Sequence, residues 1–265
     1  MNADRKIIVI GELGIEIPVD STGKPGDTRP GGRLLNIALN LAKDGIPVEM
    51  VGDMGSDPMG DLVMRYLTDN NVGVRSVDRY TDGLTPVTFD FGDRLVRYAT
   101  TPADQLDVVW PRINPGDLVV FGGYYSLDER VRPRLLQLLS NAQEMKALLI
   151  YLPGFNPQLA PRITRVMPSL LENMEMASTL VTTTADLCQI YANEGNDPVR
   201  CYRDHIFYYA PRLVNIDQAS GRIEVMGGTE NSSSHTSLPV STLDGLAQSI
   251  SQIISKIYHN QPLNN

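Results

Sequence analysis

Ile7-Ile8-Val9-Ile10 is a run of four β-branched residues closed by Gly11. A strand with no polar position has no face to offer to water. It has to lie inside a sheet that is covered on both sides. The following segments supply the covering. Residues 34–43 carry Leu34, Leu35, Ile37, Ala38, Leu41 and Ala42 on one broad helical face, and Asp44-Gly45 places a glycine where a helix stops. Residues 48–51 predict a second strand. Ser56-Asp57-Pro58 opens a second helix that runs to about Asn70, and Val72-Gly73-Val74 follows. Strand alternating with helix predicts a mostly parallel sheet with helices on its faces.

The rhythm breaks at 85–99, which predicts two strands around Gly92-Asp93. It resumes with a strand at 118–121, a helix at 128–143 and a strand at 147–152. Pro133 is tolerable only in the first turn of that helix. A helix at 162–172, a strand at 180–183 and a helix at 184–192 come next. Residues 206–209, 213–216 and 222–226 predict a β segment with its turn at 218–221. Residues 21–32 and the Ser-rich 229–236 predict loops. Residues 242–258 predict an amphipathic helix through Leu246, Ile250, Ile253, Ile254 and Ile257.

Composition narrows the function. The 265 residues are 42% hydrophobic and 20% charged, enough for one α/β domain across 1–265 and unlike a disordered chain. A net charge of −8 argues against coating a nucleic acid or an anionic membrane, though a local basic pocket stays open. No apolar run is long enough to span a bilayer, so a soluble cytoplasmic protein is expected. Cys188 and Cys201 form no C-x-x-C pair, and His205, His235 and His259 are scattered, so no metal site is expected. There is no P-loop, no G-x-S-x-G and no G-x-G-x-x-G, and Pro18 sits where a dinucleotide-binding helix would begin.

The informative stretch is Gly31-Gly32-Arg33-Leu34-Leu35-Asn36-Ile37-Ala38, followed by Gly45 and Gly55. Two residues without Cβ let the backbone approach a ligand closely. They open a helix whose first N–H groups are unpaired. Asn36, in the first turns, can both donate to and accept from a hydroxyl. The pattern suits a polyol; the plain alternative is a loop-to-helix turn with a solvated Asn. Arg33 has two readings. Pointing inward it would hold an anionic sugar derivative, and pointing outward it is an ordinary solvated side chain.

This stretch, with Ile10-Gly11-Glu12 before it and Val51-Gly52-Asp53-Met54-Gly55-Ser56-Asp57-Pro58-Met59-Gly60-Asp61 after it, resembles the N-terminal signature of the pfkB (ribokinase-like) carbohydrate kinases. Leu34 departs from the small residue usual there. The likeness continues more weakly through 85–99 and 151–157 and is faint after about 185. It implies a ribokinase-like three-layer α/β sandwich: a mostly parallel central sheet with a small β lid from about 12–20 and 84–100. It also implies transfer of a phosphoryl group from ATP to a hydroxyl of a small sugar, with ATP and Mg2+ as cofactors if the chain is active. On the sugar side it points to Glu16, in place of the usual Asp, and to Gly31, Gly32, Arg33 and Asn36.

On the nucleotide side the family's glycine-rich G-A-G-D turn corresponds to Ser241-Thr242-Leu243-Asp244. The resemblance makes Asp244 the candidate base and Thr242 and Leu243 the anion-hole candidates. An Asp near a helix start is equally explained by capping and the helix dipole. The family's N-x-x-E motif has Thr183-Thr184-Ala185-Asp186 as its best match, and Tyr208-Tyr209-Ala210-Pro211 stands where a glycine-containing turn is usual. The chain stops at Asn265, where family members continue. The expectation is a carbohydrate kinase whose sugar half persists and whose catalysis is weakened or lost. The alternatives are a non-catalytic sugar-binding pseudokinase and a structural dimer. A homodimer through the lid is expected, with a small sugar and neither nucleic acid nor membrane as partner.

Overall fold

The structure is a computed structural model that describes residues 5–92, 94–102, 105–159, 162–227 and 231–263. At its centre lies β1 (Ile7–Ile10), all four residues buried. Ile7 and Val9 pack into one layer and Ile8 and Ile10 into the other, the period-two alternation of a strand covered on both faces. β2 (Gly14–Pro18) and β3 (Arg29–Gly31) precede α1 (Arg33–Lys43). β4 (Val48–Gly55), α2 (Pro58–Asp69) and β5 (Val72–Tyr80) follow. Next come β6 (Leu84–Asp90), β7 (Leu95–Thr100), β8 (Leu118–Gly122), α3 (Arg132–Glu144) and β9 (Leu148–Leu152). The chain continues through α4 (Ile163–Met176), β10 (Thr179–Thr183), α5 (Thr184–Tyr191) and the short α6 (Pro198–Cys201). It closes with β11 (Arg212–Ile216), β12 (Arg222–Gly227), β13 (Ser232–His235) and α7 (Leu243–Tyr258).

The large sheet runs β13-β12-β11-β10-β9-β8-β1-β4-β5. It is parallel from β5 to β11, and β12 and β13 are antiparallel. Helices α1, α2 and α7 cover one face, and α3, α4 and α5 cover the other. The chain starts in the middle, builds outward through β4 and β5, then returns to the opposite side of β1 as β8. Strand order therefore reverses between β1 and β8. The crevice beyond the carboxyl ends of such a pair is where open α/β sheets bind ligands. The fold is the three-layer α/β architecture that the sequence implies.

A second sheet, β3-β2-β6-β7, stands beside this crevice and holds the expected lid segments. β6 and β7 form the expected hairpin, with the Phe91 N–H on the Arg94 carbonyl; Asp93 of the predicted turn lies outside the described residues. Three local expectations change. Arg29–Gly31 leaves the predicted loop and pairs antiparallel with β2, Glu16 opposite Arg29. The predicted strand at 206–209 is absent: Ile206 ends a π-helical turn (Tyr202–Ile206), residues 207–209 form a turn, and β11 begins at Arg212. Ser232–His235 forms the edge strand β13 on β12, while Thr229 and Glu230 of the predicted loop lie outside the described residues. In the first and third a strand partner overrode local propensity.

Asp57 joins the two sheets. One carboxylate oxygen accepts the Gly60 N–H at 2.9 Å and caps α2; the other accepts the Thr85 N–H of β6 at 2.6 Å. Burial raises the Asp57 carboxyl, and these donors more than reverse it, holding it below the usual range. Its contribution is therefore present above the ordinary carboxylate value and lost as pH falls through the depressed one. Asp57→Ala is expected to cost about 1–2 kcal/mol near neutrality, typical of a lost cap, with the difference from the parent shrinking in acid. Urea unfolding at several pH values measures both.

Candidate active site

A cavity of about 150 Å³ opens at the switch point, between the carboxyl ends of β1 and β8 and the small sheet. Of the predicted residues, Glu16, Gly31, Gly32, Arg33, Asn36 and Leu243 line it, although they come from four elements far apart in the chain. Thr242 and Asp244 flank Leu243 in sequence but do not themselves line it.

Gly31 and Gly32 are needed for close approach. A Cβ on Gly31 would fall 2.2 Å from the Glu16 carboxyl carbon. Gly32 has φ of 134° and serves as the N-cap of α1. Its N–H reaches the Glu16 carboxylate, yet burial outweighs both this bond and Arg29 and raises the Glu16 carboxyl. The Asn36 side-chain amide has no protein partner among the described residues and faces the cavity. Leu34, the departure from the usual small residue, points away from the cavity. It packs in the core against Gly11, where a Cβ would lie 2.6 Å from the Leu34 Cβ.

Arg33 points inward, but it is not an open anion site. Its Nη1 lies 3.4 Å from Oδ2 of Asp186, a buried carboxylate on α5, and Gly154 leaves the room for it. Asp186 is fully engaged: it also accepts the Thr183 N–H at 3.0 Å, while the Thr183 hydroxyl accepts the Asp186 N–H in a capping box.

At the start of α7, Thr242 is the N-cap. Its N–H goes to the Pro239 carbonyl, and its hydroxyl oxygen accepts the Gly245 N–H at 3.1 Å. That leaves the amides of Leu243 and Asp244 as the first-turn donors open to an anion. Asp244 has a side chain 75% exposed, 3.5 Å from Arg29. The same guanidinium lies 3.6 Å from Glu16. Arg29 thus bridges the candidate base and the candidate sugar-binding carboxylate.

Sequence reasoning missed four contributors: Glu12, Arg29, Arg97 and Asp186 in its ion-paired role. Glu12 follows β1 and lines the cavity, and its Oε2 is buried with no hydrogen-bond partner among the described residues. Gly123, with φ of 65°, passes close to that oxygen. The sequence signals for Glu12 were its place directly after a buried strand and a glycine and its inclusion in the Ile10-Gly11-Glu12 match to the family. Arg97 lies on β7 with its guanidinium 4.5 Å from the centre of the Tyr124 ring.

Burial raises the Glu12 carboxyl, and Arg97 and Arg33 offset this only in part. The folded chain holds this proton more tightly than the unfolded one. The stability contribution is therefore complete below the ordinary carboxyl range and lost as pH rises through the raised value. Glu12→Gln is expected to melt a few degrees higher than the parent near pH 8, with the gain gone near pH 4, where Glu12 is itself neutral. Thermal melts across that range decide it.

Residues 4–201 match the sequence pattern of the pfkB family carbohydrate kinases. The chain is 24% identical over 215 residues to Probable fructokinase-6, chloroplastic, of Arabidopsis thaliana, covering 76% of this chain and 55% of that protein. It is 31% identical over 91 residues to 5-dehydro-2-deoxygluconokinase 2 of Bacillus cereus, covering 31% of this chain and 27% of that one. The chain spans 55% and 65% of the lengths of the two Arabidopsis fructokinases it matches. Aminoimidazole riboside kinase from Salmonella enterica, solved with aminoimidazole riboside and an ATP analog, superposes with a TM-score of 0.77 at 16% identity, over 97% of this chain and 90% of that one. A fructokinase from Vibrio cholerae, bound to fructose, ADP and potassium ion, gives 0.74 at 14% identity, over 88% and 76%.

Proposed function

This chain belongs to the pfkB family of carbohydrate kinases, and on that premise we propose that it binds a small sugar in the cleft at the β1–β8 switch point while its phosphoryl transfer is weak or lost. The observation that carries the reading is an asymmetry. Glu16, Gly31, Gly32 and Asn36 line one cavity, and the Asn36 amide there has no protein partner among the described residues. Of the groups a transfer step needs, the Asp186 and Asp244 carboxylates are ion-paired, while the Leu243 and Asp244 amides stay open. The relatives named above support a sugar or sugar derivative as the ligand, since their names specify a fructose, a gluconate derivative and a riboside.

In this reading Asn36 and Glu16 hold sugar hydroxyls, and the Gly31-Gly32 backbone lets the ring approach α1. The polyphosphate end of ATP fits the residues present at α7 poorly. Two of the first-turn amides are taken by Pro239 and the Thr242 hydroxyl, and Leu243 puts an exposed side chain where the family keeps glycine. Asp186, the nearest counterpart of the family's metal-side carboxylate, is occupied by its cap and by Arg33. ATP bound with Mg2+ would supply the transferable phosphoryl group; no step through it is assigned to these residues. Asp244, were it to act as base, would first have to leave Arg29.

A sugar present at about a hundred times its Kd stabilises a fold by about 2.7 kcal/mol. A melting shift of several degrees with one member of a sugar panel, no shift with Mg-ATP, and loss of the sugar shift in Asn36→Ala are the expected outcomes. A shift with Mg-ATP and a kinase activity abolished by Asp244→Asn would establish the active enzyme instead.

The small sheet supports the proposed homodimer. Phe91 and Tyr98 are exposed on it, and Phe89 meets Tyr98 edge to face at 5.9 Å. A second copy of this sheet would cover them. Sedimentation at micromolar concentration is expected to give a dimer, and Tyr98→Glu a monomer.

A further inference from the structure

The cavity described above does not end at Glu12. Beyond it lies a second chamber of about 300 Å³, and the two share Glu12, Leu13, Pro86, Arg97, Tyr124 and Leu159 as walls. Arg97 stands at the junction, held flat against Tyr124.

The charges facing the chamber can be accounted for one by one. Arg130 and Asp128 neutralise each other through two contacts, at 2.9 Å and 2.6 Å. Asp53 is saturated by the Leu106 N–H at 2.6 Å and the Tyr125 hydroxyl at 3.0 Å. Tyr80 gives its hydroxyl proton to the Leu84 carbonyl. Two groups are left over. Arg97 has no carboxylate at ion-pairing distance among the described residues, in contrast to Arg33 at the other end of the cleft. Gln105 is only 5% exposed, lines the chamber, and its side-chain amide has no partner among the described residues. Glu12 adds an unpartnered Oε2 between the chambers. Because burial favours its neutral form, it can act there as a hydrogen-bond donor, not a repelling charge.

Burial of the unpaired Arg97 guanidinium carries a desolvation cost that a matching ligand would offset, and the Gln105 amide has hydrogen-bonding capacity to spare. Both present donors to the same enclosed space, and a planar guanidinium recognises carboxylate and phosphate by paired hydrogen bonds. We propose that the second chamber receives an anionic end of the sugar ligand, a carboxylate or a phosphate, on Arg97 and Gln105. The proposal rests on the reading of the first cavity as the sugar site and specifies the ligand class: an acidic sugar, not a neutral one. It also moves the anion-binding role expected of Arg33 to a residue on the opposite wall.

The test is calorimetric titration of matched pairs: aldohexoses, ketohexoses and pentoses against their uronates, aldonates and terminal phosphates. The expected result is at least one acid bound about tenfold or more tighter than its neutral counterpart, the gain of one charge-assisted contact. Whether the uronate and aldonate arm or the phosphate arm shows the gain identifies the anion. Arg97→Gln should remove the preference, the acid losing far more affinity than the neutral sugar, and Arg97→Lys should keep part of it. Gln105→Leu should weaken the acid alone, and Asn36→Ala should weaken both. Unliganded melts of each variant check that it folds. Neutral sugars binding as tightly as acids, or an acid preference that survives Arg97→Gln, would overturn the anion subsite and leave the sugar cleft standing. Binding by no pair, or binding indifferent to Asn36→Ala, would overturn the sugar reading and this proposal with it.

Discussion

β1 pairs in parallel with β4 on one side and β8 on the other, and the position of every group in the cleft follows from this. A parallel sheet whose strand order reverses leaves a crevice at the carboxyl ends of the two central strands, because the connections leave in opposite directions. Glu12 and Gly123 are the residues that leave β1 and β8 at that point. The small sheet brings Glu16 and Arg97 to the crevice from one side, and α1 and α7 bring Asn36 and Leu243 from the other.

Within that frame, ion pairing separates the groups that remain available from those that do not. Arg33 is held by Asp186, Asp244 by Arg29, and Arg130 by Asp128. Two of these pairs engage Asp186 and Asp244, the carboxylates that the family resemblance assigns to the nucleotide side. The surface pair at Asp244 is individually weak, whereas the buried Asp186 pair would be costly to break because a charge would be stranded. The asymmetry proposed between a receptive sugar pocket and a poor phosphate site thus has an electrostatic side as well as a conformational one.

The proposed anion subsite turns on the same distinction. An arginine next to a glycine pair is conspicuous in sequence, and Arg33 drew the expectation of an anionic ligand for that reason. Nothing local marks Arg97, which sits on a short strand among other polar residues. What distinguishes the two is whether a carboxylate distant in sequence folds against them. Asp186 is 153 residues from Arg33.

The order of strands and helices was legible in the sequence because hydrophobic periodicity and capping residues act over a few positions: Ile7–Ile10, the Asp57-Pro58 start of α2 and the Thr242 start of α7 all form as their neighbours dictate. The glycine pair and Asn36 were legible too, since a close-approach turn and a first-turn amide are local devices. The strands at Arg29–Gly31 and Ser232–His235 were not, because their pairing with β2 and β12 decides them. Nor were the bridging of Glu16 to Asp244, the closing of Arg33 on Asp186, or the open state of Arg97 and Gln105. A side chain's charge is written in the sequence; whether that charge is already spent depends on contacts that only the folded chain makes.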